Sequence, residues 1–240
     1  MQTQIVPGLP QPKNDLRRQL LNWVTRRSIA FLELGDRARS TAYEEGRWED
    51  HNHRVKEAVA EAYGPMPFNR TGGPLKVRTV SSFDTTHCSI ENLLFESFPG
   101  WEVNASVFVP RSEGPFIPVV IPVGHSGKQF ANYQIPAQAF ASLGYLAVLF
   151  DPPGQSSEKQ PGNDHFRDGI RSFPFGHSSN RYFILDALRC IDYLETRADV
   201  DLSRGVGMTG VSGGGVTTLY ASLFDNPIAC IGPSCCMNKM

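Results

Sequence analysis

The sequence predicts an α/β protein: a mostly parallel central sheet with an antiparallel start and helices on both faces, preceded by an N-terminal helical segment. Three observations carry this. Pro118 to Val123, Tyr145 to Phe150, Gly205 to Val211 and Ile228 to Gly232 read as strands, and the short apolar run Pro118 to Val123 has the signature of one buried on both faces. Helix-period segments separate them, and strand–helix alternation is the order of a parallel sheet with right-handed crossovers. Leu75 to Phe83, Cys88 to Phe98 and Glu102 to Val109 follow one another without intervening helices, which is the pattern of hairpins.

The elements follow in order. Asn14 or Asp15 is a candidate cap for a first helix, whose Leu16, Leu20, Trp23 and Val24 share a face. Arg17, Arg18, Arg26 and Arg27 read as its solvated flank. A second helix carries Val55, Ala58, Val59 and Ala62 and stops at Tyr63-Gly64-Pro65. Residues 1–72 are thus expected to be the helical segment and residues 73–240 a partial α/β core. Later helices are predicted around Tyr133 to Leu143, from about Ser179 to Arg197, and from Gly213 onward. Asp151 to His177 reads as a long polar loop over the site, with Asp164, Arg167, Asp168 and Arg171 around His165 and His177.

Composition narrows the function classes. The 240 residues are 40% hydrophobic and 20% charged, with a formal charge of −1, so neither nucleic acid nor an anionic membrane surface is an expected partner. No apolar stretch reaches the length of a membrane span, and Met1 to Pro12 lacks the apolar core of a secretion signal. A cytoplasmic location is the expectation. The five cysteines, Cys88, Cys190, Cys230, Cys235 and Cys236, form neither a disulfide framework nor a zinc pattern and read as free thiols. No metal or organic cofactor is implied.

One motif carries chemistry. Gly210-Val211-Ser212-Gly213-Gly214 fits G-x-S-x-G at a predicted strand-to-helix junction, where a sharp turn exposes the serine hydroxyl. Glycines on either side of such a turn remove side chains that would collide. Gly213 is then placed to offer a backbone N–H to a developing oxyanion at a helix start. Gly124-His125-Ser126-Gly127 closes an earlier strand, and Ser126 and Gly127 are alternative second oxyanion donors. His125 could be read as a base, but a loop-shaping role hydrogen-bonded to the backbone is the expectation. Together with Asp151 and His177 it is assigned to the pocket. Lys128 is not a phosphate-loop lysine, because Gln129 replaces the required Ser or Thr.

Val123-Gly124-His125-Ser126-Gly127-Lys128, Tyr133-Gln134, Gly144-Tyr145, Phe150-Asp151-Pro152-Pro153-Gly154-Gln155 and Gly210 to Gly215 occur in this order. Over about residues 75 to 236 the chain resembles the acetyl-xylan-esterase and dienelactone-hydrolase-like branch of the α/β-hydrolase superfamily. The resemblance implies a serine esterase acting on small acyl esters. Dienelactone hydrolases use cysteine, so Ser212 favours the esterase side. In that superfamily an acid and then a histidine follow the nucleophile. Between Ser212 and Met240 there is no histidine, and Asp225 is the one acid. The expectation is a chain lacking the last strands, with a triad that is incomplete unless His165 or His177 substitutes. It also implies an open apolar edge at Ile228 to Gly232, through which the chain would self-associate.

Two rival readings remain at this level. Gly205-Val206-Gly207-Met208-Thr209-Gly210 satisfies G-x-G-x-x-G, with Asp225 about 20 residues on. Those glycines, however, constitute the predicted strand rather than follow it. The other rival is a non-catalytic hydrolase scaffold or binding module.

Overall fold

The computed structural model describes residues 18–64, 73–154, 165–224 and 227–236. The candidate caps Asn14 and Asp15, and Asp225, lie outside them. The chain divides into two compact units, with a break between Glu57 and Ala58.

The described part of the first unit is helical. Helix α1 spans Gln19–Glu44, and α2 spans Trp48–Tyr63 and runs across the break. The apolar face of α1 is open: Leu20, Trp23 and Val24 are all exposed. Arg27 lies over the Trp23 ring at 5.1 Å and the Phe31 ring at 5.4 Å, so part of this apolar face is covered by a cation.

The second unit holds one sheet of seven strands among the described residues. These are β1 (Arg78–Asp84), β2 (Cys88–Phe98), β3 (Trp101–Pro110), β4 (Pro118–Pro122), β5 (Leu146–Asp151), β6 (Val206–Val211) and β7 (Ile228–Ser234), in the order β1-β2-β3-β5-β4-β6-β7. The first three strands and β5 pair antiparallel, and β5, β4, β6 and β7 pair parallel. Following those pairings, five strands point one way, and only β1 and β3 oppose them. The sheet is mostly parallel with an antiparallel start, as the sequence predicts.

Apolar residues on the two faces of the strands build two cores. On one face Ile90, Phe108, Val119, Ile121, Ala147 and Leu149 pack with Tyr133, Ala137 and Ala141 of α3 (Ala131–Ser142). On the other, Leu93, Phe95, Val107, Val120 and Val148 pack with Ile184, Ala187, Leu188 and Ile191 of α5 (Asn180–Glu195). β4 and β5 are buried along their whole length, which explains their unbroken apolar runs. Tyr63, at the end of α2, belongs to the second core: its ring meets Tyr220 edge-on at 5.2 Å, and its hydroxyl accepts from Asn180 Nδ2.

The segment read as a long loop is in part helical. α4 spans His165–Ser172 and a 3-10 turn follows at Phe173–Phe175. Asp168 lies in the first turn of α4 and Arg171 in the last, where each opposes the helix dipole. The turn ends at Gly176 with φ 71°, a left-handed position that glycine takes without strain. The last described helix, α6 (Gly213–Ala221), starts directly after β6.

Candidate active site

The elbow forms where β6 becomes α6. Ser212 has φ 59° and ψ −119°, a strained backbone for a residue with a side chain. Two backbone bonds hold it there: Ser212 N–H donates to Ser234 O at 2.9 Å, and Val216 N–H donates to Ser212 O at 3.0 Å. The glycines around it are required by close approach. A side chain on Gly214 would strike Pro122 O, and one on Gly215 would lie 2.6 Å from Ser234 O and 2.8 Å from Cys236 Sγ. The elbow is therefore wedged between the ends of β4 and β7.

The loop after β4 completes the site. Gly124 sits so near the elbow that a side chain there would lie 2.5 Å from Val211 O. Its N–H donates to the Tyr133 hydroxyl at 2.8 Å. His125 turns outward, exposed, with Nδ1 2.8 Å from Ser212 Oγ. This nitrogen pairs with the serine hydroxyl. Gly127 is buried and Ser126 half-buried on the same loop. Gly213 occupies the first position of α6, where a backbone N–H has no partner within the helix.

Asp151 and His177 do not join this pair. The Asp151 side chain is only 1% exposed; its Oδ1 accepts the Lys128 N–H at 2.7 Å, and its Oδ2 lies 3.9 Å from Lys128 Nζ. Asn104 Nδ2 also donates to it, at 3.4 Å. Asp151 thus clamps the His125 loop from below rather than facing an open pocket, because the end of β5 points its carboxylate at that loop. His177 follows Gly176 and packs toward the end of α2, where a side chain on Gly64 would lie 3.2 Å from its Nδ1. That nitrogen makes no hydrogen bond among the described residues. The side chain of His165 lies outside the described residues.

Two further features carry no sequence signal of their own. Cys236 stands beside Gly215, and its thiol is held above the ordinary range, first by burial and then by Cys235. On the same end of the sheet, a cavity of about 550 Å³ is lined by Phe98, Trp101, Pro153, Arg171, Arg181 and Tyr182. Trp101 stacks on Phe98 at 5.2 Å and on Tyr182 at 6.0 Å. Pocket-lining residues on four separate elements and the segment after β5 leave no local motif to read.

Sheet order, elbow and neighbouring loop are those of an α/β-hydrolase fold. Residues 75–236 match the acetyl xylan esterase (AXE1) family, and the chain belongs to that family. No curated protein sequence matches it significantly. Among solved structures the fold is similar to a methylesterase (TM-score 0.62, 21% identity, covering 79% of this chain and 40% of that one). It is also similar to acetyl xylan esterase 1 from Thermoanaerobacterium sp. (TM-score 0.55, 20% identity, 76% and 56%). A glucuronoyl esterase from Solibacter usitatus gives a TM-score of 0.55 at 16% identity, covering 75% and 56%. The chain spans 40–56% of the length of these structures.

Proposed function

We propose that the chain carries the acyl-transfer centre of a serine carboxylic-ester hydrolase acting on small acyl esters of the acetyl type, with Ser212 as nucleophile. The observation that carries this reading is the strained elbow at Ser212, set at a helix start and facing a glycine-bearing loop. A strained serine held by its neighbours presents its hydroxyl at a defined angle and spends no binding energy on ordering it. As Oγ bonds to the ester carbonyl carbon, charge develops on the carbonyl oxygen. The Gly213 N–H and an N–H from Ser126 or Gly127 are the donors suited to receive it. Family membership supports the ester as the substrate bond. The acetyl group is favoured by the family.

Hydrolysis of p-nitrophenyl acetate by the chain and by Ser212→Ala tests the proposal. The expected result is a Ser212-dependent rate, with the alanine variant falling to the buffer rate. Equal, slow hydrolysis by both proteins would instead support a non-catalytic scaffold.

A further inference from the structure

We propose that the cavity beside the end of β5 binds an acidic sugar ring, a uronate, in the alcohol portion of the ester; this rests on the ester-hydrolase reading of Ser212. The carboxylate in question is a free group, remote from the bond that Ser212 attacks.

The cavity lies where such a ring would fall. β2, β5, β4 and β6 run the same way, so Phe98, Pro153 and Ser212 stand at or just past the carboxyl ends of their strands. In open α/β sheets that is the end at which ligands bind. Only β4 separates β5 from β6, which puts the ends of those two strands about 10 Å apart across the sheet. The cavity is thus too far from Ser212 to hold the acyl group and near enough to hold a sugar ring joined to it.

Its walls select a ring. Phe98, Trp101 and Tyr182 form a stack in which neighbouring planes lie 17° and 26° apart. Trp101 is fixed by donating from Nε1 to the buried Asp186 carboxylate at 3.4 Å, and Tyr182 by accepting from Arg181 Nη2 at 3.0 Å. A wall already ordered in this way offers flat apolar area without an entropic cost on binding. The polar groups come from the helices. Asp168 and Arg171 are three residues apart on α4 and therefore neighbours on its surface. α4 is held against the start of α5, since a side chain on Gly169 would lie 3.6 Å from Ser179 Oγ.

Charge selects among rings. Arg171 and Arg181 line the cavity with Asp168, two permanent cations against one carboxylate, in a chain whose formal charge is −1. A carboxylate gains from that balance and receives the Arg171 fork as a paired bond; a neutral sugar gains nothing from it. Arg171 is exposed and free to make this contact. Arg181 is buried, with its guanidinium 4.9 Å from the Tyr182 ring centre, and contributes field rather than contact. Asp168 has the opposite demand, for hydroxyl donors. A uronate meets both demands across one ring.

Ligand-observed NMR on the full chain tests this, with methyl glucopyranosiduronate as probe and methyl glucopyranoside as its neutral counterpart. Saturation of the protein's aromatic protons should transfer to the ring C–H protons of the uronate. Its affinity should exceed that of the glucoside about tenfold, which is what one charge-assisted bond supplies. Arg171→Gln should lose about that factor for the uronate alone, with its fold checked by circular dichroism. Ser212→Ala should bind as the unaltered chain does. Equal affinity for the two probes overturns the assignment, as does unchanged uronate binding by Arg171→Gln or the absence of transfer to either probe. The ester reading is judged separately, by Ser212-dependent hydrolysis of p-nitrophenyl acetate. A chain that binds the uronate but hydrolyses no ester keeps the sugar site and loses the nucleophile.

Discussion

At the residue scale, the glycines of the elbow differ sharply in what they tolerate. Gly214 lies against Pro122 O, a backbone atom that has no freedom to move aside. Gly214→Ala should cost about 3 kcal/mol through overpacking. At Gly213 the nearest atom to an added side chain is Gly124 Cα at 3.6 Å, an ordinary contact. Gly213→Ala should stay within about 1 kcal/mol of the parent, since alanine is the better helix former. Urea denaturation of the two variants checks the contrast; equal midpoints would contradict the packing described. The elbow was readable in the sequence because its five residues are contiguous and sit between a strand and a helix pattern. The Ser212–His125 pair was not, because 87 positions separate the two residues. A histidine after a strand carries no sign of which way its ring turns.

At the element scale, the end of β5 supports the loop that follows β4. The Asp151 carboxylate is buried beneath that loop and takes a backbone N–H from Lys128 as well as facing its ammonium. Asp151→Asn keeps the shape but removes the charge, so a charge-assisted bond becomes an ordinary one. The expected cost is about 2 kcal/mol in thermal or urea unfolding. Ser212-dependent hydrolysis of p-nitrophenyl acetate should slow as well, because the loop that faces Ser212 loses its anchor. Unchanged stability and hydrolysis would show that the clamp is dispensable. Strand positions were predictable to within a few residues because β4, β5 and β6 are short apolar runs between turn residues. The role of Asp151 was not, since a carboxylate at a strand end reads equally well as a pocket residue or as a buried anchor. α4 escaped notice for a simple reason: it has only 8 residues, is polar and contains a central glycine.

At the scale of the whole molecule, β7 is the outermost strand of the sheet, with β6 its one strand neighbour among the described residues. It is largely exposed, and beside it runs a cavity of about 490 Å³ lined by Phe140, Tyr145, Met208 and Ile231. An exposed strand edge next to apolar surface favours pairing with another chain. The chain should therefore form larger species at micromolar concentration in size exclusion with light scattering, and Ile231→Lys should shift it toward monomer. A monodisperse monomer from the unaltered chain would refute this.

The order of the sheet also separates cheap contacts from costly ones. β2 and β3 meet across the tight turn at Gly100, so little chain freedom is lost in joining them. β4 pairs with β6 through Val119 with Gly207 and Val120 with Met208, after α3, β5, α4 and α5 have intervened. Closing that long segment carries a larger entropic cost, which grows by about 0.6 kcal/mol with each doubling of its length. Ser212 and His125 stand at the ends of these two strands. The juxtaposition of the elbow and the loop that faces it thus depends on the most distant closure in the parallel half of the sheet.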